Sequence, residues 1–209
     1  QSGQMETIGF DLYMEMLQEA IADIQGQKLP YVDDTQIDLK VNAFIPTDWI
    51  SNTEEKLNAY KSASECSTQA SLIELVTFWI DKYGALPLPV DSLVQVLKLK
   101  IIARTCAFTR IKQEKVNIIL ETKMEKPAFT KLKMALPEHI QGRFSYVRMT
   151  DGPAQVVIRG LAVLSVDKQV EQLIEWIDLM SSEIEGSERF RKDKERVSTI
   201  KKDKSVITI

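Results

Sequence analysis

Cys66, Cys106 and His139 are the side chains with the strongest claim on metal or nucleophilic chemistry, and their number and spacing argue against it. The two cysteines form no CxxC pair, and His139 is the sole histidine, so a Cys/His zinc site is excluded. Cys106 lies among Ala103, Ala107 and Phe108, where a small buried thiol acts as a hydrophobe. His139 follows Pro137 and Glu138 in a loop-like stretch with no partner to poise it as a base, and reads as a surface residue. The doublets Asp33-Asp34 and Glu54-Glu55 fall at a linker and a helix start, where carboxylates are expected without a cation. Trp49, Trp79 and Trp176 have faces that bases can stack on, but each falls within or beside an apolar helical pattern that predicts core packing. Trp79 is the one whose exposure decides the matter. There is no GxxxxGK[ST] loop, GxGxxG, GxSxG elbow or HExxH. The expectation is a chain with no catalytic residue, no metal and no cofactor of its own.

The elements around these residues are those of an ordinary folded protein. Of the 209 residues, 44% are hydrophobic and 27% charged, enough to build one main core. The most apolar stretch, Val94 to Cys106, is interrupted by Lys98, Lys100 and Arg104 and falls well short of a membrane span. Gln1 to Ile8 has neither a basic nor an apolar leader segment, so a reducing cytoplasm is expected, and the chain reads as a piece cut from a larger protein. A net charge of −3 and an isoelectric point near 5.4 argue against a surface that wraps nucleic acid, leaving any basic patch local.

Periodicity divides the chain into 1–26, 27–35, 36–186 and 187–209. Phe10 to Ile24 repeats apolar residues every three or four positions and predicts an amphipathic helix ending near Gly26. Residues 27–35, with Pro30, Asp33 and Asp34, read as a linker. Gln36 to Ala43 alternates and predicts a half-buried strand stopped by Pro46. Three helices follow: one capped within Ser51 to Thr53, one introduced by Ser67 to Ala70 and ended by Gly84, and one started by Asp91 or Ser92 after an extended connection from Ala85 to Pro89. Phe108 to Lys112 and Val116 to Glu121 predict a hairpin turning at Gln113-Glu114, followed by a short helix from Pro127 through Phe129, Leu132 and Met134. Phe144 to Met149 and Gln155 to Ile158 predict a second hairpin across Asp151-Gly152, and Val166 to Ile184 a long helix. The charged residues from Ser187 to Ile209 read as a mobile tail. The predicted class is α+β: an N-terminal helix and linker, then a helical subdomain packed with a small, mostly antiparallel sheet and a long C-terminal helix.

Two stretches carry a family resemblance. The opening residues from Gln1 to Leu17 resemble the segment that closes the translocase motor of bacterial transcription-repair coupling factors, with Gln1, Ser2 and Gly3 similar to the end of its translocation motif. Ile45 to Ile50 (IPTDWI), Lys56 to Tyr60 (KLNAY), Ile80 to Pro87 (IDKYGALP) and Leu97 to Lys100 (LKLK) resemble that family's C-terminal domain in the same order, so the motifs reach from Gln1 to about Glu121. The resemblance implies an autoinhibitory regulatory domain that masks the UvrA-recruiting surface of an N-terminal UvrB-like module in the same chain. It also implies a parent that uses ATP and Mg²⁺ in a motor upstream of Gln1 to move on DNA, displaces stalled RNA polymerase and couples to nucleotide excision repair, with no membrane partner. The family carries acidic contacts at the positions of Asp81 and, three residues earlier, Phe78. Phe78 departs from that pattern and buries either in the partner or in this domain's own core; Asp81 is either the contact or a solvated helix residue. A rival reading makes the N-terminal segment and the basic tail a DNA-gripping accessory module.

Overall fold

Each of the first three helices starts where the chain can satisfy or dispense with unpaired amides. Residues 35–205 are described by a computed structural model, with side chains given for residues 35–184. Helix α1 (Thr53–Glu65) is capped by Asn52, whose side chain accepts from the Glu55 amide at 3.0 Å. Helix α2 (Gln69–Tyr83) opens with a reciprocal box in which Thr68 and Ser71 each bond the other's backbone amide. It ends at Gly84, whose φ of 87° and ψ of −164° suit only a residue without Cβ. Helix α3 (Leu88–Thr105) follows, with Pro89 in its first turn, where the missing N–H is no loss.

α3 is apolar on nearly every side. Val90, Leu93, Val96, Leu97, Leu99, Ile101, Ile102 and Ala103 are all buried along it. Such a helix has no solvent face to present, so it must be enclosed. The final helix, α6 (Val166–Ser205), lies along it and adds Val170, Leu173, Trp176, Ile177 and Met180 to the same core, and α2 and the sheet also pack on it.

The sheet runs in the order β1, β2, β3, β5, β4. β1 (Gln36–Asp38) is parallel to β2 (Phe108–Glu114); β3 (Asn117–Thr122), β5 (Ala154–Ile158) and β4 (Phe144–Val147) continue antiparallel. One face, with Ile111, Ile118, Leu120, Val156, Ile158 and Phe144, joins the core, and Phe144 meets Trp176 edge-on at 5.6 Å. The other face carries the ion pairs Arg110–Asp38 and Lys112–Glu121. This is the division expected of an antiparallel sheet covered on one side. A bulge between Phe108 and Arg110 lets Phe108 and Ile111, three apart, both point inward. Two short helices, α4 (Lys126–Lys133) and α5 (Glu138–Gln141), link β3 to β4, and a 3₁₀ turn (Leu161–Val163) leads to α6.

Several expected boundaries moved. The strand from Gln36 ends at Asp38 rather than Ala43; beyond it the Val41 and Ala43 amides turn back to the carbonyls of Leu39 and Val41, although the alternation still buries Ile37 and Leu39. Thr35, assigned to the linker, is already buried and donates to the Phe108 carbonyl at 2.9 Å. α3 starts at Leu88 rather than Asp91, because a proline in the first turn costs no hydrogen bond. The first hairpin turns at Lys115-Val116, where Lys115 takes φ of 53°, two residues later than expected. Met134 falls just past the end of α4 and is exposed. Helical backbone continues through Gly186 to Ser205, where a separate tail was expected to begin. Gln1–Gly3, the predicted helix at Phe10–Ile24 and the side chains of the basic tail lie outside the described residues.

Two outcomes follow from this packing. Ile102→Ala should lower the unfolding free energy by about 2–5 kcal/mol in urea titration, whereas Leu88→Ala, at a side chain 77% exposed, should stay within about 0.5 kcal/mol. Burial raises the pKa of the half-buried Cys66 thiol, so its alkylation should accelerate only above the pH range of an ordinary thiol. Cys106, fully buried with its thiol toward the Ile177 carbonyl, should react only on unfolding; timed labelling with mass spectrometry reads both.

Candidate functional site

The family-like motifs converge on one end of α2. Tyr60 is buried, and its hydroxyl accepts from the Ile45 amide at 2.7 Å, fastening the IPTDWI loop to α1. Lys56 donates to the Thr47 hydroxyl at 2.8 Å, and burial lowers its pKa against the opposing pull of Asp48. The Trp49 ring stands edge-on to Trp79 at 6.0 Å and tilts against Tyr83 at 5.3 Å. Trp79 is 1% exposed and Trp176 3% exposed, so both indoles belong to the core, as the sequence pattern indicates. Most of the motif residues therefore build the scaffold rather than a reactive centre.

That scaffold makes α2 rigid. Its start is tied to α6 by Gln69 donating to Asp178 at 3.1 Å, and its end to α1 by Lys82–Glu55 at 3.3 Å. Leu72 and Trp79 point inward. At about 100° per residue, Ile73 and Ile80 stand two turns apart on one outward line and Glu74 and Asp81 on the next, with Phe78 beyond them. Ile73 is 66% exposed, Phe78 55% and Ile80 45%, and the two carboxylates are exposed as well. An acidic line flanked by apolar side chains on one helix face has the make-up of a recognition surface.

The two residues singled out in the sequence thus share a face. Phe78, 55% exposed, lies outside the domain's own core. Asp81 makes no ion pair among the described residues; its neighbour Lys82 instead sits 4.9 Å from the Tyr83 ring centroid and is held protonated by the Tyr83 hydroxyl and then by Glu55. Gln1, Ser2 and Gly3 lie outside the described residues. Sequence reading passed over Ile73, Glu74 and Ile80, although the seven-residue repeat of Ile-Glu with Ile-Asp was visible. Among the described residues no group of three or more His, Cys, Asp or Glu is placed to hold a metal, and no helix is long and apolar enough to cross a membrane.

Comparison with known proteins agrees with this architecture. Residues 39–132 match the TRCF domain family. The transcription-repair-coupling factor of Staphylococcus aureus strain USA300 is 33% identical over 116 residues, covering 54% of this chain and 10% of that protein. The Escherichia coli K12 factor is 30% identical over 126 residues, covering 58% of this chain and 11% of that protein. The chain therefore spans about a tenth of the length of these relatives. The crystal structure of the C-terminal domain of a transcription-repair coupling factor aligns over 74% of this chain and 95% of that one, with a TM-score of 0.59 at 17% identity, and so shares the fold. The TRCF match over residues 39–132 and the relatives' identity support a C-terminal region of a transcription-repair coupling factor, and the solved C-terminal domain shares its α+β fold.

Proposed function

We propose that this chain is the regulatory C-terminal domain of a larger coupling factor and that the outward face of α2 is its inhibitory contact. In this reading the face docks on a basic surface of an N-terminal module resembling UvrB and covers the site that recruits UvrA. The parent is an ATP-dependent DNA translocase that removes stalled RNA polymerase and passes the lesion to nucleotide excision repair. Its ATP and Mg²⁺ are bound by motor segments upstream of Gln1.

The observation that carries the reading is the joint exposure of Phe78 and Asp81 on a helix locked from behind. Exposed charge gives such a contact orientation and reversibility more than affinity. A masking surface must also let go when the motor engages. Phe78 supplies apolar area where the family pattern has a second carboxylate, which shifts the balance of the contact from charge toward burial.

The reading is tested by titrating this chain against the separately expressed N-terminal module. A linked form in which both share one chain, at an effective concentration of about 1 mM, brings weak contacts into range. Asp81→Lys should weaken binding and flatten its salt dependence, and Phe78→Ala should cost about 1–2 kcal/mol with little salt effect. Binding unchanged in both variants would assign the contact to another surface. The 209-residue chain alone should hydrolyse no ATP and bind duplex DNA weakly; turnover above background in a phosphate-release assay would contradict the division of labour proposed for the parent.

A further inference from the structure

The sheet ends in a strand whose outer edge is unpaired among the described residues. β4 is hydrogen-bonded to β5 alone, and just before it the Arg159 amide donates to the Arg143 carbonyl at 3.0 Å. That bond sets the phase of the ladder, because facing residues in an antiparallel pair alternate between exchanging both bonds and exchanging none. Ser145 and Val147 therefore turn their amides and carbonyls toward β5, and Phe144 and Tyr146 turn theirs outward. Among the described residues no backbone group meets the outward pair.

Edges of this kind are usually blunted by lysine, proline or a bulge, since an open ladder templates another strand. β4 reads Phe-Ser-Tyr-Val, short at four residues but without lysine, proline or bulge. Its backbone is held firmly: the Tyr146 hydroxyl donates to the Met124 carbonyl at 2.9 Å and its ring stacks on Phe129 at 6.0 Å. Val147 and Met149 remain about 40% exposed beside it. Where the strand ends, Tyr146, Arg148 and Met149 lead into a cleft of about 660 Å³ whose wall also carries Lys123 and one carboxylate, Glu125.

Charge narrows the choice of occupant. Residues 122–160 hold seven Lys and Arg side chains against three Asp and Glu, in a chain that is net −3 overall. The exposed Arg143 stands at one end of β4 and the exposed Arg148 and Lys123 at the other. The free edge offers donors and acceptors in alternation, which a peptide backbone matches and a phosphate backbone, having only acceptors, does not.

We propose that β4 is a docking edge for an extended, acidic segment of a partner protein. The segment adds as a further strand on the Phe144 and Tyr146 backbone, with its carboxylates between Arg143 and the Arg148–Lys123 cleft. This surface is separate from the α2 face and does not depend on the role given to it.

Fluorescence anisotropy with the full 209-residue chain and a labelled peptide of about eight alternating Glu and Val residues tests the proposal. Saturable binding is expected, with hydrogen exchange slowed at the Phe144 and Tyr146 amides. Lys123→Glu combined with Arg148→Glu, both at exposed positions, should weaken it about tenfold, and the matching Lys-Val peptide should not bind. Absence of saturable binding, equal binding of the Lys-Val peptide, or binding that leaves those two amides unprotected would each overturn the proposal. Tighter binding of a DNA duplex through Lys123 and Arg148, with the two amides unchanged, would overturn it in favour of a nucleic-acid surface.

Discussion

Everything in this domain is arranged around the need to enclose α3. A helix with buried residues on nearly every side cannot lie at a surface, and each leucine or isoleucine removed from water along it contributes about 1.5–3 kcal/mol. That demand recruits α6 along one side, α2 along another and the inner face of the sheet. Elements far apart in sequence meet because α3 needs all of them. The fold is consequently non-local, with the strand at Gln36 pairing to Phe108–Glu114 across three helices.

The same enclosure decides which surfaces remain for binding. Once one side of α2 is committed to Leu72 and Trp79, its opposite side must carry whatever the sequence places there, and it places Ile73, Glu74, Phe78, Ile80 and Asp81. Once the inner face of the sheet is committed, its outer face is left to ion pairs around the buried Ile119 and its margin to β4. Recognition surfaces in this domain are the residue of core packing, held rigid by the core that excluded them.

The charge distribution adds a second layer. The chain is mildly acidic as a whole, yet the stretch from Thr122 to Gly160 is basic, so acidic residues prevail elsewhere. α2, with Glu74 and Asp81 outward, and β4, with arginines at both ends, are suited to partners of opposite charge. Net charge alone conceals this polarity, because cancellation in a sum says nothing about separation in space.

Local chemistry was legible from the sequence. Apolar spacing gave the helices, and Gly84 and the prolines gave the breaks between them. The motifs from Ile45 to Lys100 carried the family. What the sequence left open were quantities that depend on a distant neighbour. β1 stops at Asp38 because pairing with β2 stops there, although its alternation runs on to Ala43. Trp79 goes inward as its apolar pattern predicts, but whether the adjacent Phe78 joined the same core was open, and only the packing shows Phe78 to be 55% exposed. Insertion of β5 between β3 and β4, which creates the open edge, is likewise invisible to periodicity, since a strand's pattern records which face is buried and not which strand lies beside it.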